Sequence, residues 1–148
     1  MDAYIEGVRV AETPSGLAAI VTLGVEDEDD VLPIFVGFDE AASIARGLDA
    51  TDLGRPLTHD LFLDVMEELG GRVERVVVSE LDDDTYVADL HVETPRESVV
   101  VDARPSDSLA LASRTDGDIE VDEAVFEANA EPRDEYDDLD DIRELMER

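Results

Sequence analysis

A large excess of carboxylates limits what this chain can fold into more than any other feature of its sequence. Its 148 residues include 41 acidic and 11 basic side chains, every basic one is arginine, and the formal net charge is -30. Such a charge would expand a compact domain at low ionic strength, because the Debye length near 0.01 M is about 30 Å but only about 3 Å at 1 M. The composition therefore predicts a cytoplasmic protein of a salt-accumulating halophile.

The rest of the composition favours one folded domain over a disordered acidic chain. Hydrophobic residues make up 43% of the sequence, and cysteine is absent, which excludes disulfides, thiolate zinc sites and thiol nucleophiles. Apolar runs are shorter than the about 18 residues that span a bilayer, and residues 1–10 lack a signal-peptide pattern, so we expect no membrane partner. We predict a domain over residues 1–130 and an acidic tail over 131–148, either exposed or folded as a short docked helix.

Hydrophobic periodicity predicts an α+β fold, a compact single domain in which the hairpins of a mixed β-sheet pack against several helices. Alternating and apolar runs predict strands at 3–10, 17–25, 31–36, 72–80, 85–93, 99–101 and 119–121. Helical spacing predicts helices over 39–48, 58–69, 105–114 and 123–130. The valine run at 99–101 indicates a central strand. One apolar stripe runs along the second helix and consists of Leu61, Phe62, Val65, Met66 and Leu69.

Two Arg-Pro pairs stand immediately before predicted helices. Arg55 precedes the helix that begins near Thr58, and Arg104 precedes the helix that Pro105 opens. The first backbone N–H groups of a helix are unpaired and carry partial positive charge, so a guanidinium beside them suits a phosphate. The alternative is that both arginines pair with neighbouring carboxylates, in which case their role is structural.

Four further polar residues lie close to these junctions. His59, in the first turn of the second helix, is either a functional imidazole or a half-buried histidine with one hydrogen-bonded nitrogen. Asp102 directly follows the valine run, so we expect it to be partly buried, with Arg104 on the same strand face. Asp107 and Arg114 are seven residues apart and therefore share one side of the next helix.

Three segments together resemble the bifunctional nuclease domain family, namely LPIFVGFDEA (32–41), GRPLTHDL (54–61) and VDARPSDSLALASR (101–114). They occur in the family's order, within a match that runs from about residue 1 to residue 126. The resemblance implies a compact α+β domain, self-association, and nuclease activity on DNA and RNA. By position, the motif residues are Glu40, Arg55, Thr58, His59, Asp60, Asp102, Arg104, Ser106, Asp107 and Arg114.

For an enzyme of this family, the second and third segments are expected to converge on one site. The predicted catalytic residues are His59, Asp60, Asp102 and Asp107, with His59 as general base or as proton donor to the leaving oxygen. The predicted phosphate-binding residues are Arg55, Arg104 and Arg114. The predicted ligands of a divalent cation, magnesium or manganese, are Asp102, Asp107 and Glu40, because hard oxygen ligands suit these ions.

The sequence thus predicts a metal-dependent nuclease that acts on single-stranded DNA or RNA and forms homo-oligomers. Molar salt opposes this function, because affinity that depends on phosphate contacts falls steeply as the salt concentration rises. A non-catalytic regulatory or protein-binding domain is the alternative. In that case the same charged residues form a structural ion-pair network.

Overall fold

Two antiparallel hairpins build most of the sheet, as their apolar and alternating runs predict. A computed structural model describes residues 1–146 of the chain. Its strands are β1 (Asp2–Thr13), β2 (Gly16–Val25), β3 (Asp30–Val36), β4 (Arg72–Asp82), β5 (Thr85–Glu93), β6 (Ser98–Ala103), β7 (Asp118–Val121), β8 (Glu131–Pro132) and β9 (Asp140–Asp141). Its helices are α1 (Phe38–Leu48), α2 (Thr58–Glu68), α3 (Pro105–Ala112), α4 (Glu123–Asn129), α5 (Asp134–Asp137) and α6 (Ile142–Met146).

All nine strands of the described chain belong to one mixed sheet. Eight follow the order β6-β5-β4-β7-β1-β2-β3-β8, and β9 pairs with β1 outside this path. The β4 and β7 strands run parallel, whereas the other pairings are antiparallel. The predicted α+β class and mixed sheet are therefore confirmed.

The helices α1 and α3 pack on each other and bury most of their length against the sheet. In α1 the inward residues are mainly alanine, which allows a close approach, and Ile44 fills the space between them. From Pro105 to Ala112, α3 is almost wholly buried, as its nearly uniform apolar sequence predicts. This packing brings Arg104, the residue before α3, close to Glu40 in the first turn of α1, and both helices border the candidate site.

The strand β6 lies at the edge of the sheet, so the expectation of a central strand at 99–101 was wrong. Only β5 pairs with it in the described chain, and Val100 and Val101 are 60% and 47% exposed. A run of three valines is typical of a strand that is central in a sheet and buried on both faces. Here β6 is the last strand of the sheet in the described chain, and its valines are largely exposed. Asp102 on this strand is exposed as well, which corrects its expected partial burial.

The α2 helix turns most of its apolar stripe outward. Met66 and Leu63 pack toward the sheet, whereas Leu61, Phe62, Val65 and Leu69 are at least half exposed. The helix ends where the sequence indicates, because Gly70 adopts a φ of +84°, a left-handed conformation that favours glycine.

Residues 131–146 pack against the body of the fold. The strands β8 and β9 extend the sheet, and the side chains of Tyr136 and Ile142 are buried. The sequence left open whether this part of the chain is exposed or docked, and in the structure it is docked. The division into a domain and a tail at residue 130 stays a prediction. No helix in the described range has the length and apolar character needed to cross a lipid bilayer.

Candidate functional site

His59 lies at the centre of a hydrogen-bonded network that joins α1, α2 and α3. Its Nδ1 is 2.7 Å from the Oγ of Ser43 on α1, and its Nε2 is 3.0 Å from Oδ1 of Asp107 on α3. The imidazole lies in the first turn of α2, and 17% of its side chain is exposed. Both ring nitrogens are therefore engaged, and one edge of the ring still faces solvent.

The surrounding donors fix the tautomer of this histidine. Arg114 donates from Nη2 to the Ser43 hydroxyl oxygen over 3.1 Å, which leaves the Ser43 proton free to point at Nδ1 of His59. The ring then carries its own proton on Nε2 and donates it to Asp107, whose ionised carboxylate can only accept. One chain of donors thus runs from Arg114 through Ser43 and His59 to Asp107.

Asp107 also receives two hydrogen bonds from Arg104, the residue that precedes α3. The Arg104 Nε and Nη2 atoms are 2.8 and 3.1 Å from the two carboxylate oxygens, in the side-on geometry that suits a guanidinium and a carboxylate. These bonds, more than any other contact, hold the pKa of the Asp107 carboxyl below its ordinary value, and His59 adds to the effect while burial opposes it. Asp107 is therefore ionised at neutral pH.

Arg104 has a second carboxylate neighbour, Glu40 on α1. Its Nη1 atom is 3.8 Å from Oε1 of Glu40, and two thirds of the Arg104 side chain is exposed. The guanidinium thus lies between two carboxylates with one side open to solvent. An incoming phosphate can reach it without disturbing the core.

Arg114 holds the buried end of the network. Its side chain is 8% exposed and donates to Asp60 at 2.7 Å and to the backbone oxygen of Ala110 at 2.9 Å. Burial by itself raises the pKa of Asp60, but the hydrogen bonds from Arg114 and from the Leu57 N–H outweigh it and hold this pKa below its ordinary value. The Asp60–Arg114 pair therefore anchors the start of α2 to the end of α3.

Two connected clefts open beside this network. One, of about 590 Å³, is lined by the His59–Asp107 pair, Arg104, Glu40 and Arg46. The other, of about 730 Å³, shares Arg46 with the first and is lined by the loop 50–57, including Arg55, and by residues 113–116. Within residues 1–146, Arg46 and Arg55 form no ion pair, so both are available to an anionic ligand.

The structure brings six of the eight predicted site residues into one network and separates the other two from it. The six are Glu40, His59, Asp60, Arg104, Asp107 and Arg114. Arg55 lies in the adjoining cleft, whereas Asp102 lines a third cleft, of about 720 Å³, on the other side of Arg104. Asp102 and Asp107 thus line different clefts, and Glu40 borders both of these.

The carboxylates match the predicted metal site only in part. In the part of the chain that the structure describes, no group of three or more His, Asp or Glu side chains has the geometry to hold a metal ion. Both oxygens of Asp107 already accept hydrogen bonds from cationic or N–H donors. Glu40 has a single ion-pair contact within residues 1–146, at 3.8 Å from Arg104, so it is less engaged than Asp107.

Ser43 and Arg46 were missed by the sequence-based interpretation. Ser43 is 8% exposed and lies among alanines on the buried face of α1, where a lone hydroxyl needs a hydrogen-bonding partner. Arg46 lies one turn further along the same helix and borders both of the connected clefts. The sequence feature that could have identified Ser43 is its polar side chain on an otherwise apolar helix face. A helical pattern does not show which residue such a side chain contacts.

Comparisons with known proteins place this architecture in a family. The bifunctional nuclease domain pattern matches residues 21–134. Two proteins of Mycobacterium tuberculosis, the uncharacterized protein Rv1829 of strain H37Rv and the uncharacterized protein MT1877 of strain CDC 1551, are each 38% identical over 122 residues, which is 82% of this chain and 71% of theirs. The chain belongs to the bifunctional nuclease domain family.

Proposed function

We propose that this protein is a nuclease that hydrolyses phosphodiester bonds in single-stranded DNA or RNA. The observation that carries the proposal is the His59–Asp107 pair, at 3.0 Å, beside the exposed guanidinium of Arg104 in an open cleft. Phosphodiester hydrolysis needs a group that takes up and returns a proton and a positively charged group that binds the phosphate. The His59–Asp107 pair can supply the first, and the Arg104 guanidinium can supply the second. Membership of the bifunctional nuclease domain family supports the same reaction class.

In the proposed reaction, Arg104 turns from Asp107 and Glu40 toward a phosphate of the substrate. Asp107, released from Arg104, accepts the proton of a water that attacks phosphorus, and the Nε2–H of His59 stays hydrogen-bonded to the resulting carboxyl group. The bond from phosphorus to the leaving oxygen breaks, and the same pair returns the proton to that oxygen. Hydrogen bonds in a free enzyme commonly rearrange in this way when the substrate binds.

The arginines around the two connected clefts supply the proposed path for the nucleic acid backbone. Arg46 and Arg55 line these clefts and form no ion pair within residues 1–146, and Arg114, which donates to Ser43 and Asp60, lines the larger cleft beside them. A guanidinium binds phosphate through two parallel hydrogen bonds, which depend less on long-range charge than a lysine contact does. This property suits binding in concentrated salt, where long-range attraction is screened.

A divalent cation, magnesium or manganese, is a further part of the proposal. Glu40 would hold it with phosphate oxygens and water, because Mg²⁺ at phosphate sites usually binds only one or two protein carboxylates. Asp102 and Asp107 line the two clefts that Glu40 borders, and they are the proposed additional ligands. The cation would supply positive charge at the phosphoryl oxygens.

The proposed setting is the cytoplasm of a salt-accumulating halophile, and the proposed assembly is a homo-oligomer. The net charge of -30 supports the halophile setting, since salt screens the repulsion between surface carboxylates. Exposed apolar side chains on α2 support the homo-oligomer.

A regulatory or protein-binding domain is the second candidate. The observation that favours it is that His59, Asp60, Asp107 and Arg114 all have hydrogen-bonding partners within the protein. Under this alternative, loss of any of these partners lowers the melting temperature, and no cleavage accompanies the folded protein.

The decisive experiment measures cleavage and thermal unfolding of the same samples. Labelled single-stranded DNA and RNA are incubated in molar KCl, with and without Mg²⁺ or Mn²⁺, with the unmodified protein, His59→Ala and Arg104→Ala. We expect cleavage to fall by about 10²–10⁴-fold in His59→Ala, the usual contribution of a positioned acid or base. His91→Ala is the matched control, since the other histidine of the chain lies on β5 away from these clefts. Full cleavage by a well-folded His59→Ala would refute the proposed site.

A further inference from the structure

The third cleft, of about 720 Å³, lies where strands from the two ends of the sheet come together. Its lining includes residues 34–36 of β3, 85–87 of β5 and 102–103 of β6. In the sheet order, β5 and β6 stand at one end and β3 lies near the other, so the sheet curves to bring them to one cleft. Ligand pockets commonly have volumes of about 300–1,000 Å³, and the third cleft is therefore large enough for a small planar group.

Phe35 brings the most exposed aromatic ring of the described chain to this cleft. It is 65% exposed and lies at the end of β3 that leads into α1. In the described chain β8 pairs only with residues 30–31 of β3, so the Phe35 end of that strand has an open edge. Tyr86 lines the same cleft from β5 and is partly buried. An exposed aromatic face of this kind suits stacking with a flat ligand.

Arg104 connects the third cleft with the proposed phosphate site. It lines both the third cleft and the cleft of His59 and Asp107. Proteins that bind single-stranded nucleic acid combine cationic groups for the backbone with aromatic side chains for the bases. One sugar separates a phosphate from its base, so a phosphate bound by Arg104 holds a base beside the third cleft.

The charges of the third cleft favour a base over a second phosphate. Glu40, Asp84 and Asp102 line it, and Arg104 is the only cationic side chain among its described lining residues. Carboxylates repel phosphate but accept hydrogen bonds from amino groups. Adenine, cytosine and guanine carry an exocyclic amino group, whereas thymine and uracil present carbonyl oxygens in its place.

We infer that the third cleft binds the base of the nucleotide whose phosphate Arg104 holds, with the base stacked on Phe35 and its amino group hydrogen-bonded to a carboxylate of the cleft. The inference rests on the proposed function for the identity of the ligand, a single-stranded nucleic acid. It adds a preference for adenine, cytosine and guanine over thymine and uracil. Stacking releases no counterions, so this contact keeps its strength in molar salt, where phosphate contacts weaken.

A divalent cation or an apolar peptide matches the third cleft less completely than a base does. A cation alone would use the carboxylates and leave the exposed ring of Phe35 in water. An apolar peptide would cover the ring but would take the carboxylates out of water without a donor, which is unfavourable. A base with an amino group contacts the ring with its face and the carboxylates with its edge.

The test compares the binding of three labelled, single-stranded DNA hexamers that carry equal numbers of phosphates. One has adenine at every position, one has thymine at every position, and one has no bases. Fluorescence anisotropy gives their affinities in 0.5 M and 2 M KCl with EDTA, so that metal-dependent cleavage does not shorten the DNA. We expect the adenine hexamer to bind at least about fivefold more tightly than the abasic one, with the thymine hexamer between them. This ratio should be the same at both salt concentrations, while every affinity falls as salt rises.

Substitutions at Phe35 test the stacking contact directly. Phe35→Leu keeps an apolar side chain without the ring, and we expect it to weaken adenine binding at least about fivefold and to leave abasic binding unchanged. Phe62→Leu is the matched control, because Phe62 is 50% exposed but lies on α2, outside the three clefts of the described chain. Phe35→Trp introduces the only tryptophan of the chain, and the adenine hexamer should quench its fluorescence whereas the abasic hexamer should not. Circular dichroism reports the fold of each variant.

The outcomes separate this inference from the proposed nuclease activity. Equal affinities for the adenine and abasic hexamers, or a folded Phe35→Leu that keeps their ratio, would overturn the base site. Equal quenching of Phe35→Trp by both hexamers would overturn it as well. Base-dependent binding without any cleavage in Mg²⁺ or Mn²⁺ would keep the base site and refute the nuclease, and cleavage that is indifferent to bases and to Phe35 would do the reverse. Failure to bind any hexamer, with or without Mg²⁺, would overturn both.

Discussion

His59 and Asp107 form a 3.0 Å hydrogen bond across 48 residues of sequence, and each lies in the first turn of its own helix. The hydrogen bond between Asp60 and Arg114 also holds α2 and α3 in this relative position. As a result the two helix starts, each preceded by an arginine, border the same group of clefts. The guanidinium groups of Arg55 and Arg104 line these clefts beside the two helix starts.

Substitution Asp107→Asn tests whether this hydrogen bond serves catalysis. An amide cannot accept the proton of water, and its orientation toward Nε2 favours the wrong tautomer of His59, so we expect cleavage to fall by about 10²–10⁴-fold. Asp82→Asn is the control, because Asp82 is exposed on β4 and lines none of the three clefts, and it should retain full activity. Unchanged cleavage by a well-folded Asp107→Asn would remove Asp107 from the mechanism.

Substitution Arg114→Met should destabilise the fold more than any exposed arginine does. It leaves the Ser43 hydroxyl and the Asp60 carboxylate without a buried donor, and we expect a loss of about 2–3 kcal/mol in the free energy of unfolding. Arg72→Met is the matched control, because the Arg72–Glu93 pair is largely exposed and such pairs contribute about 0–1 kcal/mol. Urea titration in 2 M KCl gives both values, and similar losses would show that Arg114 does not anchor the network.

The sequence predicts the junctions of this fold better than the orientation of its elements. Helix starts can be recognised in a sequence, because residues such as Pro105 at the first helical position mark them. The unpaired backbone N–H groups of a helix start make polar neighbours candidate site residues, and this reasoning identifies Arg55, Arg104, His59 and Asp107. Their convergence depends on α1 and α3 packing together, which follows from the apolar character of both helices. Local pattern and tertiary packing agree at this site.

The sequence does not predict how an element is oriented in the fold where its hydrophobic pattern fits two arrangements. The α2 helix has apolar residues on two sides, so periodicity alone does not select Leu63 and Met66 over Leu61 and Val65 as the core-facing set. The valines before Asp102 resemble a central strand, but the position of β6 at the edge depends on which strands pair across the whole sheet. Strand order is a long-range property that no local run encodes.

Acid should remove the contribution that Asp107 makes to the stability of the fold. The pKa of Asp107 lies below its ordinary value of 3.8, chiefly because of Arg104, so its contribution to stability is complete above that value and is lost as the pH falls through the lower, folded-state pKa. We expect the melting temperature to fall below about pH 4, with a smaller fall in Asp107→Asn. Asp64→Asn, an exposed position on the same helix, is the control. Parallel curves for all three proteins would contradict this account.

Docking of residues 131–146 depends on Ile142, which is fully buried in the same core cluster as Val8 and Ile44. Ile142→Ala should lower the free energy of unfolding by about 2–4 kcal/mol, the usual effect of removing a buried branched side chain. Glu144→Ala, an exposed neighbour on α6, should change it by less than about 0.5 kcal/mol. Urea unfolding followed by circular dichroism separates the two, and equal values would mean that the end of the chain adds nothing to the core.

Salt should be required for the fold itself, because 41 carboxylates face only 11 arginines. Lowering KCl from 2 M to 0.05 M lengthens the Debye length from a few ångströms to more than about 10 Å, so repulsion between neighbouring surface carboxylates returns. We expect a large fall in the melting temperature over this range, followed by circular dichroism during dialysis. Sucrose of matched osmolality is the control, because it strengthens apolar burial without screening charge and should restore little of the loss. A native spectrum with an unchanged, cooperative melting transition at 0.05 M KCl would show that the acidic surface does not demand salt.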